Sequence, residues 1–255
     1  MPSSPIENRN TWESDRSYGE MLYRRAIGDL PEMESSKAVA RRIKKLWRPG
    51  DSILDVGCGA GHYLVSLRRE IGASFEYVGV DSTANYIDLA RNAFDRETSV
   101  RFEQADIFNL PFESGSFGIV MCSNVFPCLP RIVKPLSELV RVARDIVVVR
   151  LLCGDRTHLT REVRAHEPEL DASGEPYSFA YLNIYSRKYV ESLLKQDMAM
   201  TSFSIEPDLD FVPENITKPA RGDQSPPIGT TTIGNMQVNG YILMPWAFLT
   251  ISKRC

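Results

Sequence analysis

Residues 54–61 read LDVGCGAG, and they stand where a short apolar run, SILDV at residues 52–56, gives way to a helical pattern. Glycines at such a junction let the backbone turn tightly and let a ligand approach without meeting a Cβ atom. In an open α/β sheet, ligands bind beyond the carboxyl ends of the strands, and this loop follows such an end. The stretch therefore predicts a ligand site as well as a turn.

Strand and helix patterns alternate on both sides of this loop. The apolar runs that predict strands cover residues 52–56, 75–80, 100–105, 117–122 and 146–152. The helical patterns between them cover residues 61–70, 85–94 and 132–143. This alternation indicates βαβ units with right-handed crossovers, and hence a parallel sheet covered by helices on both faces.

The two ends of the chain do not show this alternation of strands and helices. Residues 1–16 are polar and are expected to be disordered or frayed, whereas residues 17–47 carry a helical pattern. Segments 154–178 and 207–239 are read as long loops, which in compact domains usually have a function. The other predicted elements are a helix at 187–196 and strands at 200–205 and 241–251.

Composition narrows the class of protein. The chain has 255 residues, of which 43% are hydrophobic and 25% charged, as in an ordinary globular protein of one domain or one and a half. A net charge of −3 argues against a dedicated nucleic-acid binder. Five cysteines without a CxxC pair indicate reduced thiols, and no apolar run reaches the ~20 residues of a membrane span. We therefore expect a cytoplasmic protein.

The residues around the glycine loop separate two classes of ligand. A dinucleotide fingerprint requires a third glycine where this chain has His62, and no phosphate-binding GK[ST] motif is present. Asp55 precedes the loop, and a carboxylate suits a ligand with a positive amino group better than a pyrophosphate. Asp81 ends the second strand, at the spacing of ~20 residues from the glycines that an acid gripping ribose hydroxyls requires.

Four stretches, taken in order, resemble the motifs of class I S-adenosylmethionine-dependent methyltransferases of the small-molecule type. They are LDVGCGAG (54–61) for the first motif, VGVDS (78–82) for the ribose motif, QADIFNLPF (104–112) for the adenine-side motif and FGIVMCSNVF (117–126) for the fourth strand. The resemblance covers about residues 50–150 and extends to the remainder by architecture.

The resemblance implies a fold. It is an α/β fold of three αβα layers, with a doubly wound, mostly parallel sheet of seven strands whose last strand is antiparallel. Residues 17–255 would form a single methyltransferase domain, in which 17–48 are an N-terminal helical cap. Segments 154–178 and 207–239 would be lid insertions on the acceptor side.

The resemblance also implies which residues bind S-adenosyl-L-methionine and its product S-adenosyl-L-homocysteine. The methionine part would lie against Gly57, Cys58, Gly59, Ser123 and Asn124, with Asp55 nearby. Asp81 would accept both ribose hydroxyls, and Gly61 and Ser82 would also contact the cofactor. The adenine would meet Tyr86, Asp106 and Ile107, although Tyr86 is interpreted nearly as well as a core aromatic on a helix. No metal site is expected.

The sequence offers few groups that could remove a proton from an acceptor. The candidates for a general base are His62, His158 and His166. If residues 158–166 are helical, His158, Glu162 and His166 share one face at i, i+4 and i+8; the alternative is a solvated charged face. The acidic residues Glu206, Asp208, Asp210 and Glu214 are read as a solvated loop rather than a cation site.

Three functions fit these observations. The first is methyl transfer to a small-molecule or sugar-like acceptor, by in-line displacement at oxygen or nitrogen. The second is a non-catalytic protein that binds S-adenosylmethionine, and the third is a nicotinamide-dependent oxidoreductase, which His62 disfavours. The expected partner is a small-molecule acceptor, with no nucleic acid and no membrane, bound by a monomer or homodimer.

Overall fold

The structure is a computed structural model that describes residues 16–163, 170–176, 179–212, 216–217, 229–234, 236–240 and 242–254. The helices are α1 Arg16–Ala26, α2 Glu34–Lys44, α3 His62–Ile71, α4 Ala84–Ala93, α5 Val133–Val142 and α6 Arg187–Ser192. The strands in the first part of the chain are β1 Ile53–Val56, β2 Tyr77–Asp81, β3 Val100–Gln104, β4 Phe117–Ser123, β5 Ala143–Gly154, β6 Arg161–Glu162 and β7 Ala180–Tyr181. The later strands are β8 Tyr185–Ser186, β9 Phe203–Pro207, β10 Ile216–Thr217, β11 Gly229–Ile233, β12 Met236–Asn239, β13 Ile242–Leu243 and β14 Trp246–Ser252.

The central sheet has the strand order β3-β2-β1-β4-β5-β14-β9, and β8 adds a short parallel pairing to β5. Strand β14 runs antiparallel to both of its neighbours, while the pairings from β3 to β5 are parallel. The prediction of a seven-stranded, mostly parallel sheet with an antiparallel last strand is confirmed. The order reverses between β1 and β4, so the carboxyl ends of these two strands form the crevice in which such sheets bind ligands.

The sheet is covered on both faces because alternate residues of its strands point in opposite directions. In β1, Leu54 belongs to one hydrophobic core and Ile53 to the other. The first core includes Leu136 of α5, and the second includes Ile43 of α2 and Leu64 of α3. Three layers follow from this packing, as predicted.

The N-terminal helical pattern is divided into two helices, although one continuous pattern was predicted over residues 17–47. Helix α1 ends at Ala26, and α2 begins at Glu34. Gly28 adopts a positive φ of 87°, and its N–H donates to the carbonyl of Arg25, which ends the first helix. Pro31 lies in the connection and cannot continue a helix. No helix in the described part of the chain is long and apolar enough to cross a membrane.

The prediction of a long loop at residues 207–239 is wrong for the part that the structure describes. Strands β10 to β13 form a separate four-stranded antiparallel sheet. Its best-defined hairpin joins β11 to β12, where Ile233 pairs with Met236 next to Gly234, whose φ is 61°. The threonines of GTTTI favour extended backbone, and this preference prevails over the Pro and Gly around them. The predicted strand 241–251 is also divided at Pro245, between β13 and β14.

Residues 158–163 are not helical, so the condition under which His158, Glu162 and His166 would share a helix face is not met over the described part. His158 exchanges both backbone hydrogen bonds with Ile184, and Arg161–Glu162 form strand β6, which pairs with β7. His158 and Glu162 therefore do not share a helix face. His166 lies outside the described residues.

Candidate functional site

The glycine loop turns at the carboxyl end of β1 through three left-handed residues. Gly57, Gly59 and Gly61 have φ values of 80°, 56° and 80°. A Cβ atom at Gly57 would lie 2.2 Å from Cγ2 of Val125, and one at Gly59 would lie 2.8 Å from Cδ1 of Leu22. Only glycine therefore satisfies both the backbone conformation and the space at these positions.

Backbone N–H groups of this loop are tied to the end of β2. Gly57 and Cys58 donate to the carbonyl of Val80 at 2.7 and 3.0 Å, and Gly59 donates to Oδ2 of Asp81 at 3.0 Å. These bonds hold the loop and the predicted ribose acid together. The glycine loop and Asp81 are therefore in direct contact, and their shared role in binding a cofactor stays a prediction.

Asp81 accepts further hydrogen bonds besides that of Gly59. Its Oδ1 accepts from the N–H of Thr83 at 2.9 Å, and the Thr83 side chain and the Ser82 N–H also donate to the carboxylate. Burial raises the pKa of Asp81, and the backbone N–H groups oppose that rise. The neighbouring Ser82 carbonyl accepts from Nε2 of Gln104 at 2.9 Å.

Asp55 is buried, and its carboxylate accepts a hydrogen bond from the Tyr77 hydroxyl at 2.7 Å. Burial raises the pKa of Asp55 to about 7, the Tyr77 hydroxyl opposes the rise, and the nearby Asp81 adds to it. The group therefore carries only part of its charge near neutral pH. Its predicted contact with a positive amino group stays a prediction.

The end of β4 supplies Ser123 and Asn124. Asn124 adopts a φ of 64°, and its N–H donates to the carbonyl of Arg150 at 3.0 Å. Its side chain donates from Nδ2 to the Tyr63 hydroxyl at 3.1 Å and accepts at Oδ1 from Nη1 of Arg150 at 2.6 Å. Ser123 Oγ is buried and has no hydrogen-bond partner among the described residues. Such an atom at a strand end indicates a missing polar partner.

The two histidines that the structure describes, His62 and His158, occupy different environments. His62 begins α3, and its buried ring lies 4.7 Å from that of Tyr63. Burial, with a smaller contribution from Arg25, lowers the pKa of His62 to about 3, so its imidazole is neutral and a weak base near neutral pH. His158 is exposed, and its backbone forms an isolated antiparallel bridge with Ile184. The role of each as a general base stays a prediction.

The predicted adenine side combines one buried ring with one exposed turn. Tyr86 is 4% exposed, and a Cβ at Gly19 of α1 would lie 2.6 Å from its Cε1, so the ring packs on the N-terminal helix. These contacts match the core-packing interpretation. Asp106 is exposed, and its Oδ1 accepts from the N–H of Phe108 at 2.9 Å, while the adjacent Ile107 is buried.

Sequence reasoning missed a buried ion pair beside this site. Arg150 donates from Nε to Oδ2 of Asp208 at 2.7 Å, and each side chain is 1% exposed. The solvated-loop interpretation is therefore wrong for Asp208. The signal was a single arginine inside the apolar run IVVVRLL at 146–152. No metal-binding cluster of His, Cys, Asp and Glu occurs within the described ranges.

Comparison with known proteins identifies related sequences. A family model described as "Methyltransferase domain" matches residues 48–203. The demethylmenaquinone methyltransferase of Lactococcus lactis subsp. lactis is 30% identical over 135 residues, which are 51% of this chain and 53% of that protein. The enzyme of the same name from Staphylococcus saprophyticus is 27% identical over 120 residues, 46% of this chain and 52% of the relative. The matched part thus spans about half the length of these relatives.

Solved structures share the fold at low sequence identity. A complex of the Haloferax volcanii Trm112 methyltransferase activator and a methyltransferase matches with a TM-score of 0.59, at 16% identity over 99% of this chain and 100% of that one. Magnesium protoporphyrin IX methyltransferase from Synechocystis PCC 6803 with bound SAH matches with a TM-score of 0.54, at 16% identity over 93% and 95%.

The family model covers more than half of the chain, and the sheet order and glycine loop agree with it. The chain belongs to the class I S-adenosylmethionine-dependent methyltransferases.

Proposed function

We propose that this protein transfers the methyl group of S-adenosylmethionine to a small-molecule or sugar-like acceptor, at oxygen or nitrogen. The observation that carries the proposal is the hydrogen-bonded unit of glycine loop and Asp81 at the carboxyl ends of β1 and β2. This unit lies beside the point where the strand order reverses. Residues 17–255 would act as one domain, with the segments 154–178 and 207–239 on the acceptor side.

The described residues fit the cofactor in two respects. The glycines provide a surface without Cβ atoms, and the Asp81 carboxylate, hydrogen-bonded to that loop, lies at the end of β2 where ribose hydroxyls would meet it. The buried Ser123 Oγ and His62 Nδ1 lack hydrogen-bond partners within the described part of the chain, so polar atoms of a ligand would complete them.

Each predicted residue then has a proposed role. Asp81 and Ser82 would bind the ribose. The methionine part would be bound by Gly57, Cys58, Gly59, Gly61, Ser123 and Asn124, with Asp55 behind them. The adenine would lie beside Tyr86, Asp106 and Ile107.

The cofactor supplies an activated methyl group on a sulfonium, so the chain's own residues must align the acceptor and exclude water. A hydroxyl acceptor also needs a proton acceptor, for which His62, His158 and His166 stay the candidates. Because its pKa is lowered to about 3, His62 would be a weak general base near neutral pH.

The names of the related and structurally similar proteins support a small-molecule acceptor. They act on demethylmenaquinone and magnesium protoporphyrin IX. We propose no nucleic-acid or membrane partner and a monomer or homodimer. The buried thiols of Cys58 and Cys122 suit a reducing compartment, and we propose the cytoplasm.

Replacing Asp81 by Ala is expected to weaken the binding of S-adenosylhomocysteine by about 1–3 kcal/mol, because the ribose hydroxyls lose their acceptor. Titration calorimetry measures this. Asp88→Ala is the matched control, since it removes the same charge from a side chain of α4 that is 73% exposed. Equal affinities of the Asp81 variant and the parent would show that the acid is misassigned. Heat with NAD, and none with S-adenosylhomocysteine, would favour the oxidoreductase.

Incubation with methyl-labelled S-adenosylmethionine and pools of small metabolites is expected to yield a labelled acceptor and an equal amount of S-adenosylhomocysteine. Heat-treated protein controls for uncatalysed transfer. Binding of the cofactor without labelling of any acceptor would favour the non-catalytic binding protein.

A further inference from the structure

The Arg150–Asp208 pair lies deep beside the site and is enclosed by aromatic rings. The guanidinium carbon of Arg150 lies 4.1 Å from the centre of the Trp246 ring and 4.7 Å from that of Phe211. Asp208 and Phe211 follow strand β9 within the segment 207–239, and Trp246 begins β14. The pair therefore connects the predicted acceptor-side segment to strand β5.

From Arg150 a continuous hydrogen-bonded series leads to the N-terminal helices. Arg150 Nη1 donates to Oδ1 of Asn124 at 2.6 Å, and Nδ2 of Asn124 donates to the Tyr63 hydroxyl at 3.1 Å. The Tyr63 hydroxyl donates to Oγ of Ser35 in α2 at 3.2 Å. The Asn124 amide is thus bonded at both Oδ1 and Nδ2, so its orientation is determined from both sides.

The buried Arg150–Asp208 pair is not the most stabilising choice for the folded protein. Arg150 Nη2 and Asp208 Oδ1 are buried and lack hydrogen-bond partners among the residues that the structure describes. Burial lowers the pKa of Arg150, which reflects the cost of keeping this charge out of water. Apolar residues of similar volume often stabilise such a position as well or better. The pair instead has a geometric effect, because Arg150 bonds both Asp208 and the side chain of Asn124.

We propose that Arg150, held by Asp208, is a positioning residue for the amino-acid end of the cofactor. It fixes the side chain of Asn124 at the end of β4, next to Ser123 and the glycine loop. The inference rests on the proposed function, because the placement of the amino-acid end beside Asn124 belongs to that proposal.

Arginine suits this role because its planar fork reaches two partners in fixed directions. Nε meets Asp208 while Nη1 meets Asn124. A lysine ammonium keeps the charge but is a single point on a flexible stem, and it does not span both partners. Arg150→Lys therefore removes the positioning and keeps the charge.

The test compares two ligands by calorimetry with the full chain. S-adenosylhomocysteine carries the amino-acid end, and 5′-methylthioadenosine lacks it while keeping the adenosine and the sulfur. Arg150→Lys is expected to weaken S-adenosylhomocysteine about tenfold, the worth of roughly one hydrogen bond, and to leave 5′-methylthioadenosine within about twofold. A merely structural role would weaken both ligands alike, which would overturn the inference.

A second variant keeps the test decisive if Arg150→Lys fails to fold. Asn124→Gly tolerates the positive φ and removes the side chain that Arg150 orients, so it should show the same selective loss. The double variant should bind no more weakly than Asn124→Gly alone, because the two residues act through one contact. Additive losses, or an unchanged affinity of Asn124→Gly for S-adenosylhomocysteine, would overturn the inference.

Arg68→Lys is the matched control. Arg68 also binds a carboxylate, that of Glu97, and lies 5.7 Å from an aromatic ring, that of Phe94, but it is on α3 outside the series. It should change neither affinity. A parent chain that binds neither ligand would overturn the proposed function together with the inference. A parent that binds both, with variants that lose both equally, would overturn the inference alone.

Discussion

Gly57→Ala is expected to lower the free energy of unfolding by about 2–5 kcal/mol. Two costs add. The φ of 80° places any L side chain in the left-handed region, and the new Cβ would lie 2.2 Å from Cγ2 of Val125. Val125 has a branched Cβ and few rotamers, so it does not move aside easily. Denaturant unfolding followed by circular dichroism measures the change, and binding of S-adenosylhomocysteine should fall with it.

Two further variants separate these costs. Gly72→Ala has nearly the same φ of 81°, with a ψ of −175°, and nothing lies within 4 Å of its Cβ position, so only a backbone cost of about 1–3 kcal/mol should remain. Gly57→Ala combined with Val125→Ala should recover the steric part. Equal losses for Gly57→Ala and Gly72→Ala would contradict the close approach of Val125 to the loop.

Asp208→Ala is expected to lower the free energy of unfolding by about 3–5 kcal/mol, because it leaves the Arg150 guanidinium buried without its counter-charge. Both side chains are 1% exposed, so water does not replace the lost partner. Thermal and denaturant unfolding at neutral pH measure the effect. Combining Asp208→Ala with Arg150→Met should recover much of the loss, since the uncompensated charge is then absent.

Glu206→Ala provides the comparison for this variant. Glu206 binds Arg42 at 2.6 Å, but its side chain is 50% exposed, and exposed pairs contribute about 0–1 kcal/mol. A loss for Asp208→Ala no larger than that for Glu206→Ala would mean that water reaches the Arg150 pair in solution.

The central sheet was predictable because its strands are local apolar runs. Five such runs, separated by amphipathic helices, indicated a parallel sheet, and β1, β2, β4 and β5 lie within one or two residues of the prediction, apart from the extra residues at the ends of β5. The glycine loop was predictable for a related reason. Its left-handed backbone requires glycine, and the three glycines are visible in the sequence.

The conformation of other segments was not predictable from their own residues, because neighbours outside the segment or single turn residues determine it. Residues 158–162 have a helical spacing of charged residues, yet they pair with residues 180–184 and become extended. The helical pattern of 17–47 does not show where one helix ends and the next begins. The positive φ of Gly28 ends α1. Propensity and periodicity are weak where a partner strand or a single turn residue decides the backbone.

Composition and local pattern alone established the parallel sheet, the ligand loop and the position of Asp81, because each depends on residues close together in the chain. Only the tertiary structure placed Asp208 against Arg150, 58 residues away, and both against Asn124. From sequence, an acidic residue in a polar stretch is interpreted as solvated, whereas in the fold Asp208 meets the buried charge of Arg150. Burial is a property of the assembled molecule, and it determines which of these charged groups can act at the site.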